Sequence, residues 1–235
     1  PRNWTFETGF VRNHEAQWYQ PDNARCENGL LVLEARQEVR PNLTYQAGSP
    51  DWRTRRPTIE YTSASLSTQG QHQWQYGRFE MRARLDTRAG LWPVFWTLGV
   101  AGQWPSSGEI DIMEYYQGQL LANVASGTAK PFVARWHRAT RPVASFAPGW
   151  GQQFHVWRMD WDARAIRLYV DEVLLNETLL TQTVNPTGPG HNPMQQPHYV
   201  LLSLALGGDN GGELAGTTLP GRYEIDYVRV YQAVK

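Results

Sequence analysis

The chain has one cysteine, Cys26, in 235 residues, so no intrachain disulfide can form and cysteine usage does not fix its redox compartment. It has no apolar run approaching the ~18 residues of a membrane-spanning helix, so no membrane partner is expected. It has no surplus of either charge: 22 Lys and Arg stand against 22 Asp and Glu, for a formal net charge of +0. A nucleic-acid surface needs excess cation to neutralise phosphates, so nucleic acid is not an expected partner either. No signal peptide is visible. Pro1-Arg-Asn-Trp4 already reads as folded sequence, so an upstream segment is expected to precede it.

Aromatic residues are plentiful, with 11 Trp and 11 Tyr. A core absorbs some of these, and indole faces also suit the apolar faces of sugar rings. The length fits one all-β domain over residues 1–235, since such domains routinely run to about 200–250 residues.

The dominant period is two. Tyr76-Gly-Arg-Phe-Glu-Met-Arg-Ala-Arg-Leu85 alternates apolar and charged residues, as a half-buried strand does. Ala165–Val170 and Tyr223–Tyr231 repeat that pattern, while Gly29–Ala35 and His198–Leu206 are denser, like strands between two layers. Turn signals at Asn28-Gly29, Ala89-Gly90, Asp171-Glu172 and Gly207-Gly208 separate the runs. No long segment carries a 3.6-residue period. Many short strands with regular turns predict a sandwich or jelly roll. Residues 40–58 and 183–197 read as long loops, the first carrying Arg53, Arg55 and Arg56.

Gly108-Glu-Ile-Asp-Ile-Met-Glu114 is the segment richest in chemistry. Alternate residues of a strand share a face, so Glu109 and Asp111 face together and Glu114 falls opposite. One extra residue around Ile112-Met113, a β-bulge, returns Glu114 to the shared face. Three carboxylates in one groove suit retaining glycoside hydrolysis, in which one acid attacks and a second, protonated one donates. Asp111 between them would orient the attacking acid and oppose ionisation of its neighbours. Spacing leaves two other readings open: a solvated strand face and a hard-cation site. The flanks, Trp104-Pro105 before and Tyr115-Tyr116 after, are aromatic rather than basic.

The sequence resembles glycoside hydrolase family 16, in its laminarinase-like branch with the bulged Glu-x-Asp-x-x-Glu motif. The resemblance rests on Trp4-Thr-Phe-Glu-Thr-Gly9, Tyr76-Gly-Arg-Phe-Glu80, Gly90-Leu-Trp-Pro-Val-Phe-Trp96 and the carboxylate motif itself. Phe154-His-Val-Trp157, Leu204-Ala-Leu-Gly-Gly208 and Asp226-Tyr-Val-Arg-Val-Tyr-Gln232 follow in family order. It implies a β-jelly-roll sandwich of two curved antiparallel sheets with a concave substrate cleft. It implies Glu109 as nucleophile, Asp111 as its assistant and Glu114 as acid/base. It also implies sugar contacts from Trp92, Trp96, Trp104, Asn13, Tyr19, Gln195 and Gln196. Arg78 is read as either a sugar contact or one half of a structural ion pair, and Asn123 as a sugar contact in place of a family residue. A calcium site on the convex side is a further family feature; Asp226 matches one ligand, and the usual opening acidic segment is absent here. No cofactor is expected for catalysis.

The resulting expectation is a monomeric, secreted or periplasmic retaining endo-β-glycanase acting on a polysaccharide, with β-1,3-glucan first. Two departures bear on the substrate. Leu121-Ala-Asn-Val-Ala-Ser126 supplies Asn123 and Ala125 where laminarinases carry a His, and Ser203 stands where an Asn is usual. They motivate an alternative, a galactan of agar, porphyran or carrageenan type. A transglycosylase and a non-catalytic carbohydrate-binding module are the remaining readings.

Overall fold

Alternating sequence becomes alternating burial throughout the computed structural model, which describes residues 2–186 and 191–233. The Gly188-Pro-Gly190 turn expected in the second long loop lies outside these residues. The strands are β1 (Thr5–Phe6), β2 (Gln17–Tyr19), β3 (Ala24–Glu27), β4 (Leu30–Pro41), β5 (Thr58–Ser63), β6 (Ser65–Ser67), β7 (Gly77–Arg84) and β8 (Leu91–Gly99). They continue as β9 (Glu109–Tyr116), β10 (Gln119–Gly127), β11 (Ala134–Pro142), β12 (His155–Trp161), β13 (Ala165–Val170), β14 (Val173–Leu179), β15 (His198–Leu206) and β16 (Gly221–Tyr231). Two four-residue helices, α1 (Trp52–Arg55) and α2 (Gly208–Gly211), sit in loops.

The strands form two sheets, as expected for a jelly-roll sandwich. One is seven-stranded in the order β1-β6-β15-β8-β9-β10-β11. The other is nine-stranded, β14-β13-β12-β7-β16-β4-β5-β2, with β3 beside β4. Neighbours pair antiparallel, except that β2 runs parallel to β5. Inward-facing Phe79, Met81, Phe95, Ile110, Ile112, Trp157 and Leu204 have no exposed surface and belong to one core between the sheets. Each such side chain contributes roughly 1.5–3 kcal/mol relative to exposure, so this layer dominates the fold's stability.

Along β8 and β15 the seven-stranded sheet buries apolar side chains on both faces. On β8, Leu91 and Phe95 enter the core, while Trp92, Val94 and Trp96 face the other way with Leu201 and Ala205 of β15. A second apolar face with no sheet over it is the wall of a cleft rather than solvated surface.

The nine-stranded sheet instead carries charge on its outer face, and two expectations are corrected there. Arg78 on β7 does not reach the cleft. Its guanidinium forks onto both carboxylate oxygens of Asp160 on β12 at 2.7 and 3.1 Å, because these residues are cross-strand partners. Asp226 on β16 accepts from Arg82 at 2.7 Å, so its charge is already neutralised. Among the described residues no group of three or more His, Cys, Asp or Glu side chains is arranged to hold a metal. The Asp226 carboxylate that suggested a calcium ligand is held by an arginine.

The first long loop is not simply solvated. Arg56 packs over Phe10 at 4.8 Å and Trp52 at 5.0 Å, and donates to the carbonyls of Glu15 at 2.8 Å and His14 at 2.9 Å. It thereby braces residues 13–16. Asn13 and His14 there take positive φ of 54° and 49°, a conformation that non-glycine residues adopt only when surroundings hold them.

Candidate active site

The site begins with a register shift. Between β8 and β9, Phe95 faces Met113 and Trp96 faces Asp111, leaving Ile112 as the extra residue. Between β9 and β10, the single residue Ala122 spans the interval that Ile112 and Met113 occupy on β9. This is the expected bulge. Ile112 and Met113 both bury in the core, and Glu114 returns to the face of Glu109 and Asp111. The three carboxylates line one cleft of about 490 Å³.

Cross-strand pairing lays out that face as rows. Leu201, Trp96, Asp111, Asn123 and Arg138 stand opposite one another across five strands. A second row runs Tyr199, Leu98, Glu109, Ala125 and Trp136. A third runs Ser203, Val94, Glu114, Leu121 and Thr140.

Each outer carboxylate has its own indole donor. Trp92 Nε1 donates to Glu114 Oε1 at 2.8 Å, and Trp104 Nε1 donates to Glu109 Oε2 at 2.5 Å. Asp111 sits beside Glu109 and favours its ionised form. Trp96 turns its own N–H to Ser203 Oγ at 3.1 Å and lies under the Arg12 guanidinium at 5.0 Å. Trp92, Trp96 and Trp104 all line the cleft, as do Asn13 and Tyr19.

Electrostatics separates the acids. Burial raises all three. Burial pushes the Glu114 carboxyl up to about 7, against the hydrogen bond from Trp92 and with help from the charge of Glu109. Asp111 rises well above its ordinary value through burial and then the flanking charges of Glu109 and Glu114. Glu109 is raised by burial too, opposed by Asp111, by the hydrogen bond from Trp104 and by the charge of Arg12. Carboxylates crowded in one dry site cannot all ionise. Asp111, flanked by both of the others, has its protonated form favoured by burial and by their charges.

Three expected sugar contacts do not line the cleft, and two of them have other partners. Asn123 is buried and outside the cleft lining; its Nδ2 donates to Glu114 Oε2 at 3.0 Å and approaches Asp111 Oδ2 at 3.4 Å. Its position directly across from Asp111 turns the amide onto the acids rather than outward. Gln196 spends its amide on the loop carrying Trp104: Oε1 accepts from Ala101 N at 3.0 Å, and Nε2 donates to Ser107 O at 2.8 Å. Gln195 is exposed and also outside the lining.

Glu15 lines the cleft beside Asn13 and Tyr19; it is buried and accepts from Gln17 Nε2 at 2.7 Å and Asn13 Nδ2 at 3.2 Å. Three further lining residues carry no sequence motif: Arg12, which ion-pairs with Glu7, and two residues of β11. At the far end stand Trp136 and Arg138 on β11. Alternation along β11 and its pairing with β10 carried that signal, since Arg138 lies opposite Asn123.

A jelly roll whose open face sets three carboxylates, Asp111 and Glu114 of them buried, among indoles belongs to the class of carbohydrate-cleaving enzymes. The chain belongs to the glycosyl hydrolases family 16, whose model matches residues 12–229. It is 34% identical over 250 residues to the beta-glucanase of Rhodothermus marinus, covering 100% of this chain and 81% of that one. Its backbone is similar to the laminarinase catalytic domain of Thermotoga maritima, with a TM-score of 0.82, 28% identity and coverage of 100% and 93%. It is also similar to a structure from work on endo-acting O-glycanases with which members of the human gut microbiota initiate mucin breakdown. That TM-score is 0.88, with 32% identity and coverage of 98% and 85%.

Proposed function

We propose that the protein is a retaining endo-glycanase that hydrolyses internal β-1,3-glucosidic bonds of a glucan. The observation that carries this reading is the bulge at Ile112, which aligns Glu109, Asp111 and Glu114 in one aromatic cleft. The similarity to a beta-glucanase and a laminarinase supports glucan as the backbone.

In this reading Glu109 attacks the anomeric carbon as Glu114 passes its proton to the departing oxygen. A glycosyl ester forms on Glu109, and the leaving chain departs with the proton. Glu114, now a carboxylate, takes a proton from the incoming water, which cleaves the ester and restores Glu109. Two inversions give net retention. Asp111 orients Glu109; the Trp104 N–H stabilises the same carboxylate between turnovers. No cofactor takes part. The polymer is met outside the cell, so we place the enzyme as a secreted or periplasmic monomer.

The TM-score of 0.88 favours a second reading, in which the backbone is a mucin-type O-glycan. Product profiling on laminarin, lichenan, agarose and mucin O-glycans separates the two. Internal cleavage of laminarin supports the first; cleavage of the O-glycans with laminarin intact replaces it with the second.

A further inference from the structure

The cleft is not electrically symmetric. At the end built from residues 12–19, the guanidinium of Arg12 is matched by Glu7, with Glu15 close by. At the β11 end, Arg138 lines the cleft with no carboxylate within ion-pair distance and no side-chain hydrogen bond among the described residues. Of the two arginines that line this cleft, Arg12 holds an acid and Arg138 does not. Its partner is instead the Trp136 ring, 5.2 Å from the guanidinium carbon. Pairing fixes the pair's place. Arg138 shares a row with Asp111, and Trp136 shares one with Glu109, each two strands from β9. At roughly 4.8 Å per strand, that is about 10 Å from the acids, beyond the ring being cleaved and over its neighbours.

We propose that Trp136 and Arg138 form a subsite for a sugar carrying an acidic substituent, a sulfate ester or a ring carboxylate. The inference rests on the reading of the chain as a hydrolase of this cleft and adds a charge preference to it. Trp136 offers a flat apolar face for the ring. Arg138 offers paired N–H donors that match two oxygens of one oxyanion, and stacking on indole pre-orients that fork. A neutral glycan leaves this exposed cation with water; an acidic one supplies a counter-charge at the cleft's edge.

The test uses matched polysaccharides that differ only in charge. Laminarin, 6-O-sulfated laminarin and C6-oxidised laminarin form one set; desulfated and native mucin O-glycans form the other. Wild type, Arg138→Lys, Arg138→Gln and Arg138→Glu are compared for kcat/KM and for retardation in affinity gels containing each polymer. The expected result is a preference for the acidic member within a set. Arg138→Gln reduces that preference about tenfold, Arg138→Glu reverses it, and Arg138→Lys keeps part of it. Preference for the sulfated or for the oxidised laminarin tells the two oxyanions apart. Taking the ratio within a set cancels any effect of Arg138 on the ionisation of Glu114. Equal treatment of both members of each set, recognition of neither included, overturns the inference. Cleavage of laminarin without charge preference overturns it while leaving the hydrolase reading standing; binding with charge preference and no cleavage does the reverse.

Discussion

Trp104 Nε1 donates to Glu109 Oε2 from a loop residue only five positions earlier, and that indole is 41% exposed. The contact joins the carboxylate read as nucleophile to the most solvent-accessible Trp of the cleft. Gln196 holds the loop from below through Ala101 and Ser107, so the donor's position is built rather than incidental.

Replacing Trp104 by Phe keeps an aromatic face and removes the donor. Hydrogen bonds to charged groups contribute about 1.5–3 kcal/mol, so kcat/KM is expected to fall about 10- to 100-fold. The lost bond had favoured the ionised form of Glu109, so the acidic limb of the pH–rate profile moves to higher pH. Gln196→Ala lowers kcat/KM in the same direction by a smaller factor, with Trp104 intact.

Glu114 must carry its proton to act as the acid, and its carboxyl sits at about 7. Activity therefore falls as pH rises through about 7. The Trp92 N–H favours the carboxylate and holds that value down. Trp92→Phe is expected to shift the basic limb of kcat/KM upward, measured on a neutral substrate at constant ionic strength. A downward shift would show that Trp92 does not act on Glu114 in this way.

The same burial that serves the chemistry costs stability. A carboxyl raised on folding favours the native state below its unfolded value of 4.5, and that contribution is lost as pH rises through about 7. Glu114→Gln removes the titration. Asn123 Oδ1 has no hydrogen-bond partner, so a flip of that amide accepts the new Gln N–H. The variant is expected to be inactive and to melt higher than wild type, with the gain larger at pH 8 than at pH 5. Differential scanning calorimetry at the two pH values reads it.

Arg56 stands outside the cleft but braces its rim through the carbonyls of His14 and Glu15. Arg56→Ala releases Asn13 and Glu15 without touching the acids. KM is expected to rise about tenfold with kcat changed less, since the loss of these hydrogen bonds disturbs binding before chemistry. Equal loss in kcat with KM unchanged would contradict a rim role.

Local pattern made much of this legible. The alternating run Ala165–Val170 and the dense apolar run His198–Leu206 coincide with β13 and β15, because strand pattern is a local property. The bulge was readable for the same reason: only an extra residue puts Glu114 with Glu109 and Asp111. Parity does not reveal which sheet a strand joins. Arg78 alternates correctly but lies in the nine-stranded sheet, where Asp160 claims it. Asn123 and Gln196 were placed near the acids and their loop, yet their amides turned to internal partners that no spacing reveals. Arg12 enters the cleft from a segment far in sequence from β9, which local periodicity does not encode, whereas Trp136 and Arg138 follow from the alternation of β11 once its pairing with β10 is known.

The assignment of Glu109 as nucleophile and Glu114 as acid/base is the centre of this account. Trapping with a 2-deoxy-2-fluoro glycoside of the cleaved oligosaccharide, followed by peptide mass spectrometry, tests it most directly. The account predicts one glycosyl adduct, esterified to Glu109. An adduct on Glu114 or Asp111, or turnover with inversion and no adduct, would contradict it.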